Sequence, residues 1–237
     1  MGLKYDEESG CLTQLVITAL DECIGIGPTI AEMKSVLNEV RVLVVDGRST
    51  DDTVEIARNM GAEVVRQNGV GKGDALAKAL EYIFPEVEYV VLTDADFTYP
   101  AKHVPTMIKL LEKNAIVGMV CGNRLCQYEN KKVFNAEIYI GNRLLALLHR
   151  ILNGVQLNDP LTGLRIIRAE VLRGWRVKSK GFDIEIELNK LVLRRGYVIQ
   201  ETPIYYRPRM GRKKLKIRHS LTIVKRMFLE IISMRYF

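Results

Sequence analysis

Residues 89–96 read Tyr-Val-Val-Leu-Thr-Asp-Ala-Asp, an apolar run that stops at two carboxylates separated by one alanine. A short run of this kind is expected to be a strand buried on both faces, as in a parallel sheet, with the acids projecting beyond its carboxyl end. Two upstream runs end in the same way: Val40 to Val45 is followed by Asp46, and Leu12 to Leu20 by Asp21 and Glu22. Chance easily places an acid after one strand and much less easily after three. In an open α/β sheet that edge is where ligands bind.

The segments between these runs read as helices. Ile24, Ile30, Met33 and Leu37 recur at mostly helical spacing, and Ser49 to Met60 reads as a helix capped by Ser49 or Thr50, with Asp51 and Asp52 in its first turn. Ala62 to Arg66 is a short strand, Gly71-Lys72-Gly73 a loop, and Asp74 to Ile83 a helix. This βαβαβαβ alternation predicts an α/β fold: a Rossmann-like, mainly parallel sheet flanked by helices. Farther on, a helix is expected at about His103 to Lys113, a strand at Gly118 to Gly122, and a helix near Tyr139 to Leu152. A polar loop, Asn153 to Gly163, breaks the simple alternation. A strand at Leu164 to Arg168, a helix at Ile184 to Arg195, a strand at Tyr197 to Tyr205 and a last helix from Lys216 or His219 to Met234 complete the reading.

The 237 residues suit one sizeable core, and 48% hydrophobic with 27% charged residues excludes the disordered and fibrous classes. The four cysteines show no spacing typical of a disulfide scaffold, and the three histidines form no zinc set with Cys121 and Cys126, so a reducing compartment is expected. Asp6, Glu7 and Glu8 stand where an export signal would be basic and then apolar, and runs such as Leu15 to Leu20 are far shorter than the roughly 20 residues that span a bilayer. From Arg207 to Phe237, ten Lys or Arg face only Glu230. This segment therefore carries +9 of a chain total of +7, leaving −2 for the rest. The expected division is a catalytic domain over 1–206 and a basic, amphipathic segment over 207–237, which places Leu221, Val224, Phe228 and Ile231 on one helical face. Such a segment suits an anionic membrane surface, so a peripheral position on the cytoplasmic face of the membrane is expected. A nucleic-acid-binding module leaves the converging carboxylates unexplained and lacks interleaved aromatics, and nucleic acid is not an expected partner.

Two carboxylates held as close as Asp94 and Asp96 repel unless a cation lies beside them, and Mg²⁺ or Mn²⁺ bridging them to a diphosphate balances every charge. With Gly47, Ser49 and Thr50, Asp46 forms a tight turn able to approach a base or ribose; a plain helix cap is the alternative. The glycines of Gly71-Lys72-Gly73 permit close backbone approach, and Lys72 adds a point charge suited to phosphate.

Taken in order, Thr18-Ala19-Leu20-Asp21-Glu22, Val45-Asp46-Gly47-Arg48-Ser49-Thr50-Asp51, Gly71-Lys72-Gly73 and Asp94-Ala95-Asp96 resemble the family 2 (GT-A fold) glycosyltransferases, and most closely the dolichyl-phosphate sugar synthases. The pattern departs from the family at Asp21, where Asn is common, and at Gly47, where a second Asp is common. The resemblance covers about Leu12 to Leu221. It implies that Ala19, Leu20, Glu22, Asp46, Lys72 and Ala95 line a nucleotide-sugar pocket. It also implies that Asp94 and Asp96 face the diphosphate and its Mg²⁺ or Mn²⁺, with Asp96 the firmer ligand and Thr98 nearby. Arg124, in Gly122-Asn123-Arg124, is similar to an arginine that binds acceptor phosphate in that group, as are Arg143 and either Arg207 or Arg209. Asp159, in Asn158-Asp159-Pro160-Leu161-Thr162-Gly163, is expected to orient the sugar or an acceptor arginine, or to act as a base. Gly181-Phe182-Asp183-Ile184-Glu185 resembles the segment closing the sugar pocket, with Asp183 equally suited to be a plain helix cap. Asp96, Asp159 and Arg124 are thus the candidate catalytic residues. The implied activity is inverting transfer of glucose, N-acetylglucosamine or mannose from UDP or GDP to dolichyl or polyprenyl phosphate; the alternative is the same fold acting on a soluble acceptor such as a glycerate or glycan.

Overall fold

In the computed structural model, which describes residues 12–126, 136–212 and 218–232, the Tyr89–Asp94 strand lies at the middle of a seven-stranded sheet. The elements in chain order are β1 (Thr13–Ala19), α1 (Cys23–Val36), β2 (Arg41–Asp46), α2 (Thr53–Asn59), β3 (Glu63–Arg66), α3 (Lys72–Leu80) and β4 (Tyr89–Asp94), followed by a 3-10 turn at Ala101–His103. Then come α4 (Val104–Lys113), β5 (Val117–Asn123), α5 (Ala136–Asn153), β6 (Arg165–Arg168), α6 (Ala169–Leu172), α7 (Ile184–Arg194), β7 (Val198–Pro203) and α8 (Arg218–Ile232).

The strand order is β3-β2-β1-β4-β6-β5-β7. β1, β2, β3 and β4 are mutually parallel, and Ala19 pairs with Asp46 while Thr18 pairs with Asp94, so the carboxyl ends of the three central strands finish level. β6 runs antiparallel to both of its neighbours, and β5 and β7 are parallel to each other. β5 ends at the carboxyl edge and β6 starts there, so the connection between them begins and ends on one edge and β6 runs away from it. Leu92 of β4 pairs with Arg165 of β6, and this brings the loop before β6 to the edge where the acids converge.

Alternation within the strands fills two apolar layers. Leu15, Ile17, Val42, Val44 and Val91 face α1 and α4, whereas Val16, Leu43, Val45, Val90 and Leu92 face α3 and α7. A third cluster joins Ile186 of α7 to Ile223 and Met227 of α8, with Leu145, Leu148 and Leu152 of α5 against them. α8, within the stretch set apart by its charge, therefore packs on α5 and α7.

Two expected helix starts shift, and each shift serves the sheet edge. α2 begins at Thr53 because the preceding residues cross-link two loops: the Asp21 N–H donates to Ser49 Oγ at 2.9 Å, and the Thr50 N–H donates to Asp21 Oδ1 at 2.7 Å. α3 begins already at Lys72, with Gly73 N donating to Lys180 O at 2.9 Å, so Lys72 is carried on a helix rather than a loop. A Cβ on Gly25 would lie 2.5 Å from Ala95 O, a contact that lets the start of α1 press against the Asp94-Ala95-Asp96 turn.

Candidate active site

The acidic side of the site is assembled from β4, α3 and α7. Lys72 Nζ lies 2.7 Å from Asp94 Oδ1 and 2.9 Å from Glu185 Oε1, a cation between two carboxylates. Burial works against the charge on Lys72, but Asp94 and Glu185 outweigh it and hold the ammonium well above its ordinary range. The same pairing keeps Asp94 below the usual carboxylate range despite its burial. Asp96 is pushed the other way, first by burial and then by Asp94, although Thr98 Oγ1 donates to its Oδ1 at 2.7 Å. A Cβ at Gly163 would fall 2.2 Å from Asp94 Oδ2, so only glycine lets the Asp159–Gly163 loop close on this carboxylate.

Arg209 joins the acids from the C-terminal side. Its Nη1 lies 3.2 Å from Asp96 Oδ2, and its Nη2 contacts Glu22 Oε1. Backbone bonds from Arg207 N to Thr98 O (2.9 Å) and Met210 N to Asp96 O (3.1 Å) lay this segment along the turn after β4. Asp21, Arg48 and Phe97 take positive φ values of 46°, 70° and 61° on the three loops of this edge. Such left-handed backbone costs on the order of 1 kcal/mol per residue and tends to persist where a site over-determines it.

The arginine side is built from β5, β7 and the loop before β6. Arg124 Nε donates to Asp159 Oδ2 and its Nη2 to Asp159 Oδ1, both at 2.7 Å, and the Arg124 N–H reaches the same carboxylate at 3.0 Å. Both side chains are buried, and the Tyr206 ring lies 5.3 Å from the guanidinium. Glu201 of β7 accepts the N–H of Asn158 (2.9 Å) and of Asp159 (2.8 Å), Tyr99 accepts that of Gly163 (2.6 Å), and Arg165 donates to Pro160 O (2.7 Å) and Thr162 O (2.9 Å). The loop carrying Asp159 is thereby fixed from β6, from β7 and from the segment after β4.

The expected residues fall into distinct places. Ala19, Leu20, Glu22, Asp46, Lys72, Asp94, Ala95 and Asp96 all lie on the carboxyl edge. Asp46 itself is buried, its carboxylate accepting from the N–H groups of Arg48 (3.0 Å) and Ser49 (3.1 Å), so it shapes the turn. Arg143, exposed on α5, donates to Asn158 Oδ1 at 3.3 Å and stands beside the Asp159 loop. Arg207 joins neither side of the site: it binds Glu32 of α1 through both guanidinium nitrogens, at 2.8 and 2.6 Å, and lies over Phe97. Asp183 stands at the N-cap position just before α7, but its side chain accepts from Gly181 N and Arg226 Nε, each at 3.1 Å, rather than from the first turn of the helix.

Sequence reading gave no role to Glu185, Glu201, Tyr99 or Arg165. Glu185 lies within a quoted motif, and its placement on the buried face of α7 beside Leu188 was a usable signal. The partners of Glu201 are 42 and 43 residues away, and nothing local marks it.

Among the described residues no three His, Cys, Asp or Glu side chains cluster as a ready metal site, and no helix is long and apolar enough to cross a membrane. The Asp94 and Asp96 oxygens still suit a hard cation of the kind that takes one or two protein carboxylates and fills its remaining positions with substrate phosphate and water.

Known proteins share this arrangement of elements. Over 205 residues the chain is 35% identical to a dolichyl-phosphate hexose transferase of Haloferax volcanii, covering 85% of each protein. It is 26% identical over 211 residues to an undecaprenyl-phosphate mannosyltransferase of Micrococcus luteus, covering 84% of this chain and 86% of that one. Among solved structures, glucosyl-3-phosphoglycerate synthase from Mycobacterium tuberculosis, in complex with Mn²⁺, UDP and phosphoglyceric acid, superposes with a TM-score of 0.72 at 24% identity, covering 94% of this chain and 78% of that one; it shares the fold. Residues 15–175, which carry the strand-end acids, Lys72, Arg124 and the Asp159 loop, match the family described as Glycosyl transferase family 2, and the chain belongs to that family.

Proposed function

We propose that this glycosyltransferase moves one sugar from UDP-glucose, UDP-N-acetylglucosamine or GDP-mannose to the phosphate of dolichol or another polyprenol, with inversion at the anomeric carbon. The observation that carries the reading is the Arg124–Asp159 pair. A phosphate nucleophile is already anionic near neutral pH, so it needs a fixed cation more than a strong base. Arg124 supplies that cation on a guanidinium oriented by two 2.7 Å bonds, with Arg143 alongside. The names of the Haloferax and Micrococcus relatives support a polyprenyl-phosphate acceptor.

On the donor side, Asp46 and Glu22 shape the loops where a nucleotide would sit, and the Lys72–Asp94–Glu185 triad sets the floor beneath the sugar. Bound Mg²⁺ or Mn²⁺, held by Asp96 with Asp94, would supply positive charge to the departing diphosphate. The acceptor oxygen forms its bond to the anomeric carbon as the bond to the donor's β-phosphate oxygen breaks, and the nucleoside diphosphate leaves. Asp159 orients Arg124 rather than removing a proton. The basic segment 207–237 suits an anionic membrane, in keeping with a peripheral enzyme on the cytoplasmic face.

The test is transfer of radiolabel from each of the three donors to dolichyl phosphate in detergent, with and without Mn²⁺, scored in the organic phase. Label extracted with one donor, dependent on Mn²⁺ and lost with Asp96→Ala, is the expected result. Metal-dependent nucleotide binding without any extracted label would sink the lipid acceptor in favour of a soluble one.

A further inference from the structure

α3 runs from one edge of the sheet toward the other. Its first residue, Lys72, stands at the carboxyl edge, and its last turn leads to the opposite edge, where Tyr89 of β4 pairs with Arg168 of β6. At that far end lies a groove of about 540 Å³, walled by Ala77 and Leu80 of α3, Ile83 and Phe84 of the following loop, and Leu172 and Trp175 beyond β6. A volume of this size suits a small molecule, and mostly apolar walls with a few polar groups are the usual composition of such sites. The groove is remote from the strand-end acids, and the proposed transfer makes no use of it.

The rim selects the ligand. Arg173 and Arg176 are both exposed there, and Arg173 donates to Pro85 O at 2.7 Å, joining two stretches of the wall. Glu81 is the one acid on the walls, and Lys78 takes it up at 2.6 Å. The surplus charge is therefore cationic, while Phe84 and Trp175 contribute aromatic rings. Arginine binds phosphate or carboxylate through its planar fork, and aromatic side chains favour flat partners. A flat aromatic ring carrying an anionic group answers both features.

The chain leaving the groove ends against the start of α3. Trp175 Nε1 donates to Glu187 Oε1 at 3.2 Å, and the same buried carboxylate accepts from the N–H of Lys178 at 2.9 Å and of Ser179 at 2.6 Å. Held in this way, the strap brings Lys180 O to the N–H groups of Gly73 (2.9 Å) and Asp74 (3.3 Å). Cβ atoms on Gly71 and Gly73 would lie 2.4 Å from Lys180 O and 2.2 Å from Ser179 O, so strap and helix start meet backbone to backbone. Glu187 also follows Glu185, the partner of Lys72, by two residues on α7. Whatever orders Trp175 thus orders the strap on which the position of Lys72 depends.

We infer that this groove is a second ligand site, for a flat aromatic anion, coupled to Lys72 through Glu187 and the Trp175–Lys180 strap. The coupling, though not the site, rests on the proposed role of Lys72 on the donor side.

The full chain is titrated calorimetrically with naphthyl phosphate, with naphthol and with inorganic phosphate, each at saturating UDP or GDP and Mn²⁺ so that the catalytic edge is occupied. Naphthyl phosphate is expected to bind about tenfold tighter or more than either fragment. Arg176→Glu, which reverses a rim charge, and Ala77→Phe, which fills the groove from α3, should each weaken that binding about tenfold. Arg58→Glu, an exposed arginine on α2, leaves it unchanged. Occupying the groove is expected to tighten UDP or GDP binding about fivefold, and nucleotide to tighten naphthyl phosphate equally, because coupling is reciprocal. No binding, equal binding of naphthol, or binding that both folded groove variants leave intact overturns the site; an unchanged nucleotide affinity overturns the coupling. Groove binding in a chain that transfers no sugar removes the proposed activity and leaves the site standing, and transfer without groove binding does the reverse.

Discussion

Around Asp94 and Asp96, four carboxylates share the charges of Lys72 and Arg209, whereas around Arg124 every carboxylate oxygen is already taken up. Both oxygens of Asp159 accept from Arg124, and both oxygens of Glu201 accept from Asn158 or Asp159. On the acidic side, Glu185 Oε2 is buried with no hydrogen-bond partner. The acidic side therefore carries surplus negative charge that a divalent cation can answer, while the arginine side is complete and rigid before any ligand arrives. On the proposed function, the first region is finished by its ligand and the second receives it.

The sharpest way to break this contrast is to remove one cation from each side. Arg124→Met leaves Asp159 buried and unpaired and is expected to cost about 4 kcal/mol in chemical denaturation. Lys72→Met is expected to cost roughly 3 kcal/mol, since its site is less enclosed. Mn²⁺ should restore part of the loss in the Lys72 variant and none in the Arg124 variant; rescue of both, or of neither, would erase the distinction. Adding Asp159→Leu to Arg124→Met is then expected to recover most of the stability, because a buried pair replaced on both sides leaves no orphan charge.

Acid should act first beneath the arginine side. Burial holds the His149 imidazole down at about 3, with Arg165 and Lys190 adding to the effect. A histidine whose folded value lies below its unfolded value of 6.5 stabilises the fold above that pH and loses the contribution as pH falls toward 3. His149 neighbours Asn189, which donates to Pro160 O in the Asp159 loop. Between pH 6.5 and 5 the wild-type chain is expected to lose roughly 2 kcal/mol from this group, and His149→Gln should flatten the slope. The smallest effect belongs to Glu201→Gln. It should cost about 1 kcal/mol and lower the transfer rate without changing nucleotide affinity; weaker nucleotide binding would show that the two sides are not independent.

The same division governs what could be read from the sequence. The acidic side was legible because Asp46 and Asp94 close apolar strands and Glu22 follows one within three residues, a strictly local signal. The parallel half of the sheet followed from the same runs. The reversal of β6 was not legible, since Arg165 to Arg168 looks alike in either direction and only its pairing with β4 and β5 decides. Arg124 and Asp159 could be named singly, yet their contact spans 35 residues, and Glu201 had no local mark. Arg207 and Arg209, two residues apart in one motif, have separate fates: Arg207 goes to Glu32, Arg209 to Glu22 and Asp96. The apolar face drawn for the last helix, through Leu221 and Phe228, proved to be its outward face, because Arg226 and Glu230 turn inward to Asp183 and Arg194 at the two ends of α7.

The antiparallel strand also sets a timetable. β1 to β4 pair among themselves within the first hundred residues, whereas β6 must wait for some seventy more before it can slot between β4 and β5. β1 and β4 are as far apart in sequence as β4 and β6, so the order follows synthesis, which completes the amino-terminal part first. Until β6 arrives, β4 presents an open, apolar edge, the kind of surface along which unfinished chains stick to one another. The strand-end acids of β2 and β4 are thus expected to come together early as the chain emerges, whereas Glu185 of α7, Arg209 and the arginine half join them last.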